Sequence, residues 1–484
     1  MSTDTQPSAG PSQAGCDPLG GSAAVLRGRG AEVTPVCHVV KGRTVVGTEA
    51  AYGRFATPAL NLDELVWSRR EPGPAFNVPL TEIMDVLVQT GERLTRDPDG
   101  LLAEALDFSA RTSPLPRSVL ERSYSSLGRI FDRRSMEFQV REELGGPEVL
   151  DGWREVLDAP SGRRHRTRAF PPRLIHVIAG NAPGVAALSV LRGALTKGVH
   201  LLKLPSNDLF SATAILRTLA AVAPEHPLTR SFSAAYWRGG DAKVEGLLFR
   251  PQFFDKLVAW GGAGTIRSAT QYIGPGFELV AFDPKTSISL IGREAFETDA
   301  VLAEVADSAA ADATIMNQQA CASSRVQFVE GSVAQVDRYC ALLQTRLGVE
   351  RPTTSAIGNP LGGELRDEID GLRDMQPHYR VWGGYEGKGV VIRSEEPVDF
   401  HPDGRVVNVV PVASLAEAVL RANVATQTVG VYPSARKAEL RNALAAAGVQ
   451  RIVELGKAVA FETGISHDGF YPLQRFVRWV NDEG

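Results

Sequence analysis

Residues 174–204 read LIHVIAGNAPGVAALSVLRGALTKGVHLLKL, an apolar run at each end with a glycine-led turn and a periodic stretch between them. Residues 174–179 are compact and apolar, as a buried strand is. Gly180-Asn181-Ala182-Pro183-Gly184 then turns the chain. Pro183 suits the first turn of a helix, and Val185, Leu188, Leu191 and Leu195 recur at helical spacing. Residues 199–204 return to a strand. A strand, a helix and a second strand in this order imply parallel pairing through a crossover helix.

Working outward toward the C-terminus, the alternation continues. It predicts a helix at 207–222, a strand at 232–237, a helix near 241–249 and a strand at 256–260. Gly261-Gly262-Ala263-Gly264 leads into a helix at 265–272, followed by strands at 277–282 and 287–291 and an alanine-rich helix at 299–312. Repeated units of this kind place helices on both faces of a largely parallel sheet. The fold class is therefore α/β, with a Rossmann-type unit expected over 171–315. The pattern restarts with a strand at 325–329 and a helix at 333–347. An irregular stretch at 358–371 precedes strands at 379–382, 389–393 and 406–410. A helix at 415–423, a strand at 427–432 and a helix at 435–447 complete a second α/β domain over 316–455. Residues 456–484 are expected to complete a cleft or an oligomer interface.

Toward the N-terminus, residues 1–21 are rich in Ser, Gly, Pro and Gln and are expected to be disordered. Residues 22–170 are expected to hold a hairpin at 33–46 and a helical region, with helices at 80–87 and 117–132. Arg163, Arg164, His165, Arg166 and Arg168 form a basic cluster that reads as a solvated linker or as a surface for a phosphorylated ligand.

The 484 residues exceed one ordinary core, so several domains are expected. A net charge of -4 gives no electrostatic footprint for nucleic acid. No apolar run approaches the roughly 18 residues of a membrane span, and the N-terminus lacks a secretory pattern. The four cysteines, Cys16, Cys37, Cys321 and Cys340, lie far apart, which suits a reducing cytoplasm. The histidines are scattered and none pairs with cysteine at ligand spacing, so no metal site is expected.

Cys321 is the residue with most chemical promise. It sits in IMNQQACASSRVQFVE, residues 315–330, between the alanine-rich helix and a strand, among polar side chains. Arg325 is a candidate for lowering its pKa. A nucleophile and a buried structural thiol both fit these local residues. The Gly180–Gly184 loop opens a helix, so its free N–H groups and Asn181 can face an anion or a developing oxyanion. Lys203 and Ser206 lie at the C-terminal end of a strand, where open α/β sheets bind ligands. Gly261, Gly262, Gly264 and Thr265 offer a second close approach to backbone; either glycine loop can equally be a simple bend.

Taken together, VIAGNAPGVAALSVLRGALTKG, LLKLPSND, YWRGGD, LVAWGGAGTIR, SISLIGREAF, NQQACASSR and the late HDGF resemble the LuxC-type acyl-CoA reductases, a branch of the aldehyde dehydrogenase superfamily. Their order fits, as do the intervals of 58 residues from Lys203 to Gly261 and 60 from Gly261 to Cys321. The resemblance implies that Cys321 is acylated by a thioester, with Asn181 and the Cys321 backbone N–H as oxyanion hole. It implies that Gly180, Lys203, Ser206, Gly261, Gly262, Gly264 and Thr265 bind a nicotinamide cofactor, NADPH in preference to NADH. Hydrolytic aldehyde dehydrogenases carry a Glu-Leu-Gly-Gly glutamate that activates the deacylating water. Here the region reads VAFDPKTSISLIG, which lacks it and suits reductive chemistry. His467 and Asp468 are open to three readings: proton donor, clamp or turn.

The implied acyl donors are acyl-CoA or an acyl-carrier protein, with an acyl-transferring synthetase as a candidate partner. The implied assembly is a homodimer or homotetramer, for which the 33–46 hairpin and the C-terminal segment are the candidate contacts. The oxidative, CoA-acylating direction is the alternative activity, and a non-catalytic scaffold the alternative class.

Overall fold

The computed structural model describes residues 33–460 and 463–483, so the expectation for the 1–21 tail falls outside the described residues. Two seven-stranded sheets organise the chain. The first runs in the order Glu278–Phe282, Lys256–Trp260, Arg173–Val177, Val199–Lys203, Phe232–Ala235, His38–Val40 and Arg43–Val45. Its first five strands are mutually parallel. Val199–Lys203 is buried throughout, as a strand covered on both faces must be. Strand order reverses between Arg173–Val177 and Lys256–Trp260. A crevice for a ligand opens beyond the carboxyl ends of strands at such a reversal, and here those ends lead into Gly180 and Gly261.

The N-terminal hairpin turns at Lys41 and Gly42, both with positive φ (48° and 82°), as a two-residue hairpin turn of this hand requires. It lies against Phe232–Ala235, with Val39 opposite Ala234, and extends the first sheet. Arg43–Val45 is thereby the edge strand of that sheet.

The second sheet runs Arg380–Trp382, Val390–Arg393, Val406–Val412, Ser324–Glu330, Thr286–Ile291, Thr426–Tyr432 and Arg451–Glu454. Thr286–Ile291 lies in its interior, although residues up to 315 were expected with the first sheet. The helix Asp299–Ala313 follows it: Leu302, Val305, Ala306 and Ala309 share a core with Val336, Tyr339 and Leu343. Strand pattern alone does not say which sheet a strand joins, and a run such as 287–291 fits either.

Four helices, Leu80–Arg96, Leu101–Thr112, Arg117–Ser126 and Arg133–Leu144, build the N-terminal region. Leu80, Ile83, Leu87 and Leu94 pack into one core with Leu191, Leu195, Ile215 and Leu219, so this region is continuous with the first sheet's helices. The basic cluster is neither a linker nor free. Arg163–Phe170 is the middle strand of a three-stranded sheet between Arg154–Asp158 and Arg478–Glu483. Arg166 there lies opposite Glu155 and Asp482, Arg164 pairs with Glu155, and buried Arg168 donates to the Leu150 carbonyl. Residues 363–373, expected to be irregular, form a helix opened by Gly362 and Gly363.

Candidate active site

A cleft of about 1340 Å³ opens between the two sheets, and Asn181, Lys203, Gly262, Cys321 and Asp468 all line it. The turn after Arg173–Val177 forms one wall. Asn207 Nδ2 donates to the Gly180 carbonyl at 3.0 Å, and a Cβ at Gly180 would meet Asn207 Oδ1 at 2.0 Å. Only glycine permits that approach. Held this way, Asn181 extends Nδ2 across the cleft to the Gln319 carbonyl at 3.3 Å, while its buried Oδ1 has no hydrogen-bond partner among the described residues.

The opposite wall is the cysteine loop. Met316, Asn317 and Gln318 all have positive φ (49°, 51° and 73°), a conformation that side chains normally resist. Buried Arg405 holds them there. Its Nη2 donates to Asn317 Oδ1 at 2.9 Å, and its backbone N–H donates to Gln318 Oε1 at 2.7 Å. Gln318 Nε2 in turn reaches the Val406 carbonyl at 2.8 Å. Arg325 serves the same loop, donating to the Gln318 carbonyl at 2.6 Å and to the Pro402 carbonyl. Its guanidinium also meets Asp403 Oδ1 at 3.3 Å, and it reaches Cys321 through its charge rather than through a hydrogen bond.

The Cys321 thiol is half-buried and pushed up from its ordinary pKa, first by burial and then by the charge of Asp468. A hydrogen bond from Gln427 opposes that shift: Nε2 lies 3.1 Å from Sγ. The same nitrogen donates to Asp468 Oδ1 at 2.7 Å. Asp468 arrives in a turn in which it and Gly469 have positive φ, closed by pairing between His467 and Phe470. The HDGF segment is thus a turn that also carries a carboxylate to the thiol. His467 faces Arg192 at 3.3 Å and the rings of Trp260 and Phe282; burial lowers its pKa to about 3, so it is neutral at pH 7. Sequence reasoning gave Gln427 no role. A polar side chain at the start of an apolar strand was the only available signal.

On the first sheet's side, Lys203 is buried with its ammonium against the Tyr236 and Trp237 rings, and burial lowers its pKa. Its ammonium makes no hydrogen bond to a described residue. Glu245, another residue sequence reasoning passed over, lines the cleft while accepting from Trp237 Nε1 and the Gly240 N–H. Ser206 is exposed at the cleft rim. The helix Ala263–Thr270 begins without a side-chain cap, and a Cβ at Gly262 or Gly264 would meet nothing within 4 Å. Thr265 lines the same end of the cleft. Open backbone, uncapped N–H groups and an unengaged ammonium fit the phosphates and ribose of a dinucleotide.

Residues 76–479 match the family model described as acyl-CoA reductase (LuxC). The chain belongs to that family. It is 30% identical over 399 residues to the long-chain acyl-protein thioester reductase of Photorhabdus luminescens, covering 79% of this chain and 76% of that one. In fold it matches a NAD-dependent benzaldehyde dehydrogenase from Corynebacterium glutamicum with a TM-score of 0.67 at 14% identity, over 95% of this chain and all of the other. It also matches an NADP-dependent glyceraldehyde-3-phosphate dehydrogenase from Bacillus halodurans C-125, with a TM-score of 0.65 at 15% identity over 92% and 95% of the two chains. The fold is that of the aldehyde dehydrogenases, including their Rossmann-like nicotinamide-dinucleotide-binding sheet.

As a LuxC-family acyl-CoA reductase, the chain is an enzyme of acyl-thioester reduction to aldehyde. Among the described residues no three or more His, Cys, Asp or Glu side chains are grouped to hold a metal ion. No described helix is long and apolar enough to cross a membrane. In the 280–292 segment, which lacks the Glu-Leu-Gly-Gly glutamate, Phe282 stacks on Trp260 with ring centroids 3.6 Å apart, and Asp283 is exposed at the cleft rim.

Proposed function

We propose that this chain reduces a long-chain acyl thioester, carried on CoA or on a carrier protein, to the aldehyde through an acyl-cysteine on Cys321 and with NADPH. One observation carries the reading: Asn181 reaches over the cleft to the loop of Cys321, so an amide donor and a thiol face one space.

The resting thiol is protonated. Its sulfur forms the bond to the acyl carbon as the donor thiol leaves with the proton that Cys321 gives up. Asn181 Nδ2 and the Cys321 backbone N–H face the acyl oxygen and stabilise it as it gains charge. Lys203, Ser206 and the 261–265 turn would hold the cofactor, which when bound supplies hydride to the acyl carbon. The thiohemiacetal oxyanion on Cys321 would then re-form its C=O bond as the C–S bond breaks, releasing aldehyde, and the sulfur takes a proton from solvent. The 280–292 segment supplies no Glu-Leu-Gly-Gly glutamate to activate water. Ile130, Val185, Leu188 and Ile465 give the rest of the cleft an apolar lining that suits an alkyl chain.

A protein-bound acyl donor would bring a carrier or an acyl-transferring synthetase as partner. We further propose a cytoplasmic location and a homodimer or homotetramer, with the exposed Trp479 strand as a contact. The decisive test is intact mass after incubation with candidate thioesters without cofactor. An acyl adduct lost in Cys321→Ala, with cofactor affinity retained, supports the reading. An adduct on Cys340, or full turnover by Cys321→Ala, ends it.

A further inference from the structure

Behind the thiol, Gln427 begins the strand Thr426–Tyr432, which pairs with Thr286–Ile291 in the second sheet. Its side chain is buried, and its amide nitrogen is shared between Cys321 Sγ at 3.1 Å and Asp468 Oδ1 at 2.7 Å. The amide nitrogen of glutamine carries two diverging N–H groups, and two acceptors are present for them.

We propose that Gln427 is a catalytic hydrogen-bond donor to the Cys321 sulfur, and that Asp468 is the positioning residue that fixes which end of its amide faces that sulfur. This rests on the reading of Cys321 as the nucleophile. An ionised carboxylate only accepts hydrogen bonds. A flipped Gln427 would set its carbonyl oxygen against the Asp468 oxygen, and against the sulfur as it becomes charged, with repulsion at both contacts in that state. With Asp468 in place, the N–H end faces Cys321.

The sulfur bears negative charge twice in the cycle: as it attacks the acyl carbon, and as it leaves the thiohemiacetal when the aldehyde forms. A donor at that point strengthens as the charge develops. The Asp468 charge acts in the opposite sense, disfavouring the thiolate. The other charged groups acting on Asp468 are Lys285 and Asp283 on the chain before Thr286–Ile291 and Arg192 on the helix Gly184–Leu195. His467 beside it is neutral, and the thiol itself faces it through Gln427. Orientation and charge thus pull against each other, and the experiment must separate them.

The measurement is the pH dependence of iodoacetamide alkylation at Cys321, located by peptide mass so that the other cysteines do not contribute, together with single-turnover acylation by one good thioester. Gln427→Met keeps the length and removes the donor. Both rates should fall about tenfold or more at fixed pH, the scale for losing a hydrogen bond to a charged group. Cofactor affinity and melting temperature report folding, and Gln427→Leu is a second variant should the first be unstable. Asp468→Asn is then compared in the two backgrounds. If Asp468 acts through Gln427, the substitution is at least threefold more harmful with Gln427 present than in the Gln427→Met protein, where only its charge effect remains. Equal effects in both backgrounds overturn the positioning role. An unchanged alkylation profile in Gln427→Met overturns the donor role while a Cys321 adduct in the unsubstituted protein still stands. Failure of that protein to form any Cys321 adduct removes the nucleophile and this inference with it.

Discussion

The Ser287 hydroxyl donates to the Cys321 carbonyl at 2.7 Å and accepts from the Thr428 N–H at 3.2 Å. One side chain therefore ties the cysteine loop to two neighbouring strands. It does so where the register of Thr286–Ile291 shifts between Ser287 and Ile288, a local irregularity that can re-aim a side chain out of the regular pleat. Ser287→Ala leaves a buried carbonyl and a buried N–H without this partner. Acylation of Cys321 should slow roughly tenfold, because small misplacements of a reacting atom are costly, while cofactor affinity stays unchanged. Equal acylation rates for the two proteins would show that the loop holds its shape without the tie.

The strained triplet makes a separate demand on stability. Left-handed conformations at non-glycine residues cost on the order of 1–3 kcal/mol each, and Met316, Asn317 and Gln318 adopt them in succession. Arg405 opposes this cost with bonds from one guanidinium nitrogen to Asn317 and to the Ser355 carbonyl, and to Gln318 through its backbone. Arg405→Leu should lower unfolding free energy by about 3 kcal/mol and broaden the alkylation behaviour of Cys321. Urea titration and alkylation kinetics check both parts. A stable variant with normal Cys321 kinetics would show that the triplet needs no such support.

The pattern of legibility follows from the range of each interaction. The crossover helix after Gly180 and the buried strands at 199–203 and 256–260 were readable because apolar periodicity is local. The sheet to which Thr286–Ile291 belongs was not, because it depends on Ser324–Glu330 and Thr426–Tyr432, far away in sequence. The arginines of 163–168 read as a linker because one of the two strands that flank them, Arg478–Glu483, lies some three hundred residues away in sequence. Cys321 and Asn181 stood out by residue type and motif. Gln427, Ser287 and Arg405 are ordinary residues whose importance comes only from what they touch.

The thiol's environment predicts its pH behaviour. Burial and the Asp468 charge both raise its pKa, so the protonated form is favoured in the folded protein. Alkylation of Cys321 should rise about tenfold per pH unit between pH 7 and 9 without a plateau, since the ordinary thiol value is already about 8.5. The linkage has the matching sign. The stability this thiol contributes is fully present below the ordinary thiol range and is lost as pH rises through the raised folded value. A plateau in alkylation by pH 7 would mean a resting thiolate instead.

Asn181 should matter to the rate and little to binding. Its Nδ2 is the side-chain donor that crosses from the glycine turn to the cysteine loop, and the position lines the cleft. Asn181→Ala should lower turnover by roughly 10²–10³-fold, the scale for losing one oxyanion donor. Thioester affinity should move far less, because the interaction strengthens as charge develops. Equal losses in affinity and turnover would make Asn181 a structural clasp between the two walls.

Cofactor choice is the most exposed of these expectations. The rim of the cleft beyond Val199–Lys203 carries Ser206 and Asn207, both neutral, with the Lys203 ammonium close behind. A glutamate at such a place could bind both ribose hydroxyls and repel a 2′-phosphate; a serine exerts no repulsion. Two acids lie nearby: Glu245 lines the cleft and its charge reaches Lys203, but its carboxylate accepts from Trp237 Nε1 and the Gly240 N–H, while Asp208 is buried, lies outside the cleft lining, and accepts from the Ser211 N–H at 3.1 Å at the start of the helix Ser211–Val222. A lysine bonded to a 2′-phosphate could favour NADPH by roughly 1.5–3 kcal/mol, the range for a charge-assisted hydrogen bond. In ratio this is on the order of ten- to more than a hundredfold in kcat/KM. The comparison uses one good thioester with each reduced cofactor, repeated for Ser206→Glu, which should move the ratio toward NADH. NADH equal to or better than NADPH in the unsubstituted protein would remove the preference. A ratio untouched by Ser206→Glu would mean that the residue at 206 does not face the ribose.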